Sequence, residues 1–375
     1  MRGSVIINKN TKGEIMNHQK PILVTAANGH TGLPAARELL SLGFKVRAMV
    51  RNKNGAGAVE LAKLGAEIFI GDMTDIRDIR LALKGVERAY FCPPFSPNSL
   101  FSQVSFIIAA EEAKLEHVVY MTQWLASESH PSIITKKHWL GDQVVKMHKH
   151  VNYTIINPGF FAFVYFLTTE AVAQLGVMPS VLKGAASGKV GLNAPPSEDD
   201  QGRVIAHILK NPSPHNGKTY RPTGPKEISI VDAAKTFEKV LGRSVTIKEV
   251  PEKMFLKAVK SQGVSPFEYS NVRYYMKEFE KNSFSFGGSV TNVVKDITGR
   301  EPEDFETITR REFAKMPEAN RTLPNKIKAI FNFIKTLLTP APDMVEYEKS
   351  AGFPQFENAM EFVQTNDYWK STHKP

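Results

Sequence analysis

Val24-Thr25-Ala26-Ala27-Asn28-Gly29-His30-Thr31-Gly32 decides how this chain begins to fold. An apolar run, Pro21–Ala26, leads into it, and a helical pattern over Leu33–Leu42 follows, stopped by Gly43. The stretch therefore reads as a buried strand, a tight turn of small and polar residues, and a helix. Gly29 has the conformational freedom that such a turn requires. Gly32 allows the helix to lie close to the strand. N–H groups in the first turn of a helix lack internal partners and attract phosphate. Thr25, Asn28 and Thr31 can hydrogen-bond the turn or that phosphate. A glycine pair alone is a weak signal. Its place between a strand and a helix makes it a dinucleotide-binding signature. Ala26 stands where the usual triplet carries its first glycine, and alanine still permits close approach.

The same alternation continues outward. Lys45–Val50, Glu67–Ile70, Arg88–Cys92, His117–Met121 and Tyr153–Asn157 read as strands. Val59–Leu64 and Ile76–Leu83 read as helices between them, and two further helical faces are marked by Leu100, Val104, Ile107, Ile108 and by Leu140, Val144, Met147. Strands separated by helix-length segments imply right-handed crossovers and a parallel sheet. The fold class is α/β: a Rossmann doubly wound parallel sheet, a smaller α/β C-terminal substrate lobe and a helical tail. Residues 1–19 read as a loose leader, with Met16 a candidate start. Residues 20–160 form the core, 161–317 a lobe interleaved with it, and 318–375 an extension.

Composition narrows the function. A hydrophobic fraction of 42% and a charged fraction of 23% are ordinary for a globular protein. Cys92 is the single cysteine, so no internal disulfide forms, which fits a reducing cytoplasm. The net charge of +10 is scattered and has no nucleic-acid motif beside it, which argues against nucleic-acid binding. No apolar run is long enough to span a membrane. The ten histidines show no metal-ligand spacing, so no metal is expected.

The second strand ends Met49-Val50-Arg51-Asn52-Lys53. NAD enzymes place a carboxylate there for the ribose 2′-hydroxyl, whereas a guanidinium suits a 2′-phosphate. Arg51 thus predicts NADP(H) over NAD(H). After the third strand comes Gly71-Asp72-Met73-Thr74-Asp75. Asp72 can meet the adenine amino group and Met73 can pack on the ring, while Asp75 reads as the N-cap of the next helix.

VTAANGHTG, VRNK, GDMTD, VVYMT and YTIINPGFF together resemble the NmrA-like branch of the atypical short-chain dehydrogenases, with weaker similarity through GKTYRPTGPKEIS, VLGRSVTIKEVP and DITGREPEDFE. The likeness spans roughly residues 20–315. It implies phosphates lying over Asn28, Gly29, His30 and Thr31, Arg51 on the 2′-phosphate, and Cys92-Pro93-Pro94-Phe95 near the nicotinamide ribose. It implies that Thr122 replaces the usual serine, and that Pro158, Gly159, Phe160 and Phe161 border nicotinamide and substrate. The Tyr-x-x-x-Lys pair of typical short-chain dehydrogenases is missing. Its nearest substitutes are Lys136, Lys137 and His138, with Trp139 at the aligned position.

The expected activity is NADPH-dependent reduction of a small apolar carbonyl, enone, quinone or imine. The alternative is a non-catalytic, NADP(H)-responsive binding protein, and a homodimer is compatible with either. Phe160, Phe161, Phe163, Tyr165 and Phe166 fit a substrate pocket or a core equally well. Cys92 reads as a small buried hydrophobe. Residues 323–340 read as a basic amphipathic helix with its stripe, Ile327, Ile330, Phe331, Ile334 and Leu338, expected to cover this protein's own surface rather than lipid.

Overall fold

The computed structural model of the chain describes residues 20–354 and 360–373. The leader expected over residues 1–19, including Met16, lies outside them. Among the described residues seven strands form one parallel sheet: β1 (Ile22–Val24), β2 (Val46–Val50), β3 (Glu67–Ile70), β4 (Arg88–Phe91), β5 (His117–Met121), β6 (Asn152–Ile156) and, after an excursion, β8 (Lys218–Tyr220). Their order is β3-β2-β1-β4-β5-β6-β8. The excursion contains β7 (Val177–Ser180), which pairs in parallel with β9 (Thr246–Glu249).

Helices α1 (Gly32–Ser41) and α2 (Ala56–Lys63) cover one face of the sheet, and α3 (Ile76–Leu83), α4 (Ser99–Ala113) and α5 (Ile133–Val145) the other. α6 (Glu198–Lys210) returns from the lobe to lie against α1. Gly202 makes this possible, since a Cβ there would stand 2.5 Å from the Pro34 backbone. Of the two expected helical faces, Ile107 is buried, but Ile108, Leu140 and Met147 are exposed. α5 seats itself instead through Ile134, Gly141 and Val145. A Cβ at Gly141 would collide with the buried Gln103 side chain of α4.

The lobe carries α7 (Ile230–Leu241), α8 (Glu252–Ser261), α9 (Pro266–Glu280), α10 (Val293–Thr298) and α11 (Phe305–Lys315). Its core is aromatic: Phe160, Tyr165, Phe166, Phe237, Phe279, Phe284, Phe305 and Phe313 are all buried together. Buried large rings supply most of such a lobe's burial energy.

The tail holds α12 (Leu323–Leu338), α13 (Met344–Ser350) and α14 (Asp367–Thr372). The expected helix is present, begun by the Thr322 hydroxyl accepting the Asn325 N–H and stopped before Pro340. Its expected seating is wrong. Ile327, Ile330, Phe331, Ile334 and Leu338 are exposed, and Ala329 is the buried residue of that helix. A small-residue face packs more closely than the bulky one. Elsewhere the tail does bury apolar surface, through Met344 of α13 against Leu256 and Tyr269, through Val363, and through Trp369 of α14.

Candidate functional site

The chain's direction of travel across the sheet reverses between β1 and β4. Ligands of open parallel sheets bind at such a switch point, outside the C-terminal strand ends. The turn after β1 lies there. Its strained residue is Ala26, with φ +46, and Gly29 does not take a positive φ, contrary to expectation. The Ala26 carbonyl accepts the Gly29 N–H at 2.8 Å. A Cβ on Gly32 would stand 2.3 Å from that carbonyl oxygen, so only glycine fits where α1 begins.

The turn presents backbone N–H groups. Those of Asn28, His30 and Thr31 donate to no partner among the described residues. Free N–H groups at a helix start form a nest for phosphate. Thr25 and Thr31 point inward instead. The Thr25 hydroxyl accepts the Cys92 N–H at 3.0 Å, and Thr31 Oγ1 lies 2.7 Å from Tyr90 Oη, so both fasten the turn to β4. The start of α2 closes over the other side, where a Cβ on Gly57 would sit 3.2 Å from Asn28. The His30 ring stacks on Phe163 at 4.1 Å, and its Nδ1 lies 3.1 Å from Glu198 Oε1. The lobe thus clasps the turn.

Arg51 is exposed just beyond β2. The Asp72 carboxylate accepts the Thr74 N–H and hydroxyl at 2.8 Å each; these bonds hold its pKa down, and the nearby Arg51 charge adds to them. Asp75 caps α3 as expected, accepting the Arg77 N–H at 2.9 Å. Met73 is half-buried against the layer beneath β1 and β4. Cys92 is half-buried beside Pro93, and burial pushes its thiol up, which removes it as a nucleophile.

The end of β5 carries a cluster that sequence reasoning found only in part. Thr122 Oγ1 donates to Asp142 Oδ2 at 3.0 Å and lies 3.5 Å from His138 Nδ1. His138 and Asp142 are one helical turn apart on α5 and face the same way. Burial pushes the Asp142 carboxyl up to about 7 and the His138 imidazole down to about 4. Among the described residues His138 Nε2 has no hydrogen-bond partner. α9 holds the start of α5 in place: Asn271 Oδ1 accepts the Ser132 hydroxyl at 2.8 Å and the Ile134 N–H at 3.1 Å.

The neighbouring candidate Lys137 goes elsewhere. Lys137 Nζ donates to the Pro97 carbonyl at 2.6 Å, and burial lowers the pKa of both Lys136 and Lys137. The Pro158 carbonyl accepts the Trp124 N–H at 3.1 Å, which joins the ends of β5 and β6. Phe160 turns its ring into the lobe core, stacked on Phe279 at 4.5 Å. Phe161 and Phe163 stay at the rim, 5.6 Å apart. Phe95 meets Phe267 and Tyr275 edge-on at 6.1 and 6.4 Å. The aromatic residues after β6 are therefore divided between core and rim. A roomy groove of about 590 Å³ between Val181 and α9 is lined by none of these strand-end residues, and its Arg273 and Lys277 are both paired with Glu252.

The parallel order, the nest of free N–H groups at its switch point and the basic strand end beside it define a Rossmann-type dinucleotide-binding fold. The chain belongs to the NmrA-like family, whose model matches residues 18–314. It is 26% identical to an NAD(P)H azoreductase of Xenophilus azovorans over 296 residues, 78% of this chain and 96% of that protein. Two solved structures share the fold. One is an NADPH-dependent quinone oxidoreductase of Escherichia coli complexed with NADPH, with TM-score 0.66, 21% identity and coverage of 78% of this chain and 99% of that one. The other is NmrA, a negative transcriptional regulator, in complex with NADP, with TM-score 0.65, 17% identity and coverage of 82% and 99%.

Proposed function

We propose that this protein is an NADPH-dependent reductase of a small, planar, conjugated apolar acceptor such as a quinone, enone, imine or azo compound. The observation that carries the reading is the Thr122–His138–Asp142 cluster at the C-terminal edge of β5, beside the switch point. A protein that only sensed cofactor would have no use for a carboxyl raised toward neutrality by burial and linked through Thr122 to a partly exposed imidazole. Relatives named as an azoreductase and a quinone oxidoreductase point the same way.

The residues present fit a nicotinamide dinucleotide, since the turn offers free N–H groups and no side chain at Gly29 or Gly32. Asn28, Gly29, His30 and Thr31 would hold the pyrophosphate, with Gly32, Thr25 and Thr31 shaping the turn behind them. Arg51 would take the 2′-phosphate. Asp72 and Met73 would meet adenine. Pro93, Thr122, Pro158 and the backbone at Phe160 would border the nicotinamide. When bound, the reduced cofactor supplies a hydride. The protein's own task is then to orient the acceptor, exclude water and deliver one proton. The neutral His138 imidazole donates from Nε2 to the substrate atom gaining negative charge. With Asp142 protonated, its carboxyl donates to Thr122 Oγ1 and the rotated hydroxyl donates to His138 instead of to Asp142, so Nδ1 recovers a proton from Thr122 Oγ1, which recovers one from the Asp142 carboxyl. The cluster ends with Asp142 ionised and His138 in its other tautomer. Phe95, Phe161 and Phe163 would flank a flat acceptor.

The reading is tested by mixing the protein and NADPH with quinones, azo dyes, enones and aldehydes, and following nicotinamide absorbance. Tight NADPH binding with no oxidation by any acceptor would favour instead a regulatory role, which the missing Tyr-x-x-x-Lys pair also allows. The cofactor preference has its own test. Arg51→Glu should weaken NADP(H) by roughly tenfold or more while leaving NAD(H) nearly unchanged, measured by titration calorimetry. Equal wild-type affinity for the two cofactors would sink the assignment of Arg51.

A further inference from the structure

Helix α12 is seated back to front. On a wheel of about 100° per residue, its bulky residues Leu323, Ile327, Ile330, Phe331, Ile334 and Leu338 share one side, and Asn325, Ala329, Asn332 and Thr336 share the opposite side. The small polar side is the docked one. Ala329 is 3% exposed, Asn332 Nδ2 donates to Glu170 at 2.9 Å, and Thr336 Oγ1 lies 3.1 Å from Ser261 Oγ. The bulky side faces outward, with Ile327 58%, Phe331 65% and Leu338 78% exposed. A contiguous apolar stripe of this size is not left in water without a use.

We propose that α12 is an interfacial anchor, which lays its apolar face into the surface of an anionic lipid bilayer. Charge selects this occupant. Residues 319–342 carry Arg321, Lys326, Lys328 and Lys335 and no carboxylate side chain. By the same wheel Lys328 and Lys335 line one border of the stripe and Lys326 the other. Long ammonium side chains beside an apolar stripe reach to headgroup phosphates and carboxylates while the stripe enters the acyl boundary. Lys257 and Lys260 of α8 donate to the carbonyls of Leu337 and Pro340, which adds two cations at the helix end. A second copy is a poor occupant, because a two-fold contact would bring these lysine borders against each other with nothing to neutralise them. At 16 residues the helix is about 24 Å long, and no helix of the described residues is long and apolar enough to cross a membrane. It therefore lies on the surface. α12 also falls beyond the residues matched by the family model, which end at 314. Through Asn332 and Glu170 it is tied to the segment that follows Phe161 and Phe163. That connection would set the proposed site close to acceptors dissolved in lipid.

The test is co-sedimentation of the full chain with phosphatidylcholine vesicles, with and without phosphatidylserine. The chain should pellet with the anionic vesicles and be released by salt. Reversing Lys326, Lys328 and Lys335 to Glu should weaken binding roughly tenfold or more. The triple change Ile327→Ser, Phe331→Ser, Ile334→Ser should abolish binding and leave the melting temperature unchanged, because these side chains are already exposed. Failure to pellet with either vesicle overturns the proposal. Equal binding to both overturns its charge requirement. A dimer in light scattering that the serine variant splits, without lipid binding, makes the face a contact between copies.

Discussion

Trp369→Ala is expected to lower the unfolding free energy by about 3–5 kcal/mol, or the melting temperature by roughly 4–6 °C. Trp369 is 2% exposed and meets Trp124 edge-on at 5.4 Å, Phe286 at 5.3 Å and the stacked His373 ring at 4.3 Å. Asn366 caps its helix, accepting the Trp369 N–H at 2.7 Å. Upstream, the Val363 N–H donates to buried Glu278 at 2.8 Å, so the segment is fastened by polar and apolar contacts together. Removing the indole leaves a cavity among rigid rings that have little room to collapse. The Trp369 Nε1 is buried without an acceptor among the described residues. Trp369→Phe should therefore cost less than about 1.5 kcal/mol, since it removes an unsatisfied donor along with part of the ring. Urea melts of both variants check this. An alanine variant as stable as the wild type would show that the tail is only loosely held. The Trp124 ring lies between this tail and the Arg221 guanidinium, which sits 3.6 Å from its centroid. Trp124 follows Thr122 by two residues, so the tail also braces the site.

Local sequence carried the sheet and the phosphate turn because both rest on neighbours in the chain. Strand runs, a small-residue turn and a glycine at the helix start are read within ten residues. The basic end of β2 and the cap at Asp75 are equally local. Three features were not local. Ala26, not Gly29, bears the left-handed backbone, because which residue of a turn is strained depends on how α1 settles against β1. Asp142 gave no signal as an aspartate in a helix. It becomes chemistry only when α5, seated through Gly141 on Gln103, aims it at Thr122. Helix α12 shows the limit of periodicity. Alternating apolar and polar positions fix that two faces exist, but the protein covered the face with small residues and left the larger one outside. Trp369, forty residues further on, filled the role expected of α12.

Removing His138 or Asp142 is expected to cost the most in activity. His138→Ala and Asp142→Asn should each lower kcat/KM by about 10²–10⁴-fold, the usual share of a positioned proton donor, while NADPH affinity stays within a few-fold of wild type. Lys137→Met, which loses the bond to the Pro97 carbonyl, should cost much less. The pH profile separates a proton donor from a structural pair. The Asp142 carboxyl is raised to about 7 because burial penalises its charge. Its protonated form is the one that can recharge the relay, so wild-type kcat/KM should hold below that value and fall by one proton above it. The Asp142→Asn variant should lose this limb. Stability carries the same signature with its sign fixed by linkage. The folded pKa lies above the unfolded value of 3.8, so the native state binds the extra proton between them, and stability falls as pH rises from about 4 through 7. Asp142→Asn removes that loss. It should melt higher than the wild type at pH above 7 and no higher at low pH. A variant that is inactive and less stable at every pH would make Asp142 a structural residue, and a His138→Ala enzyme with unchanged kcat/KM would remove the relay altogether.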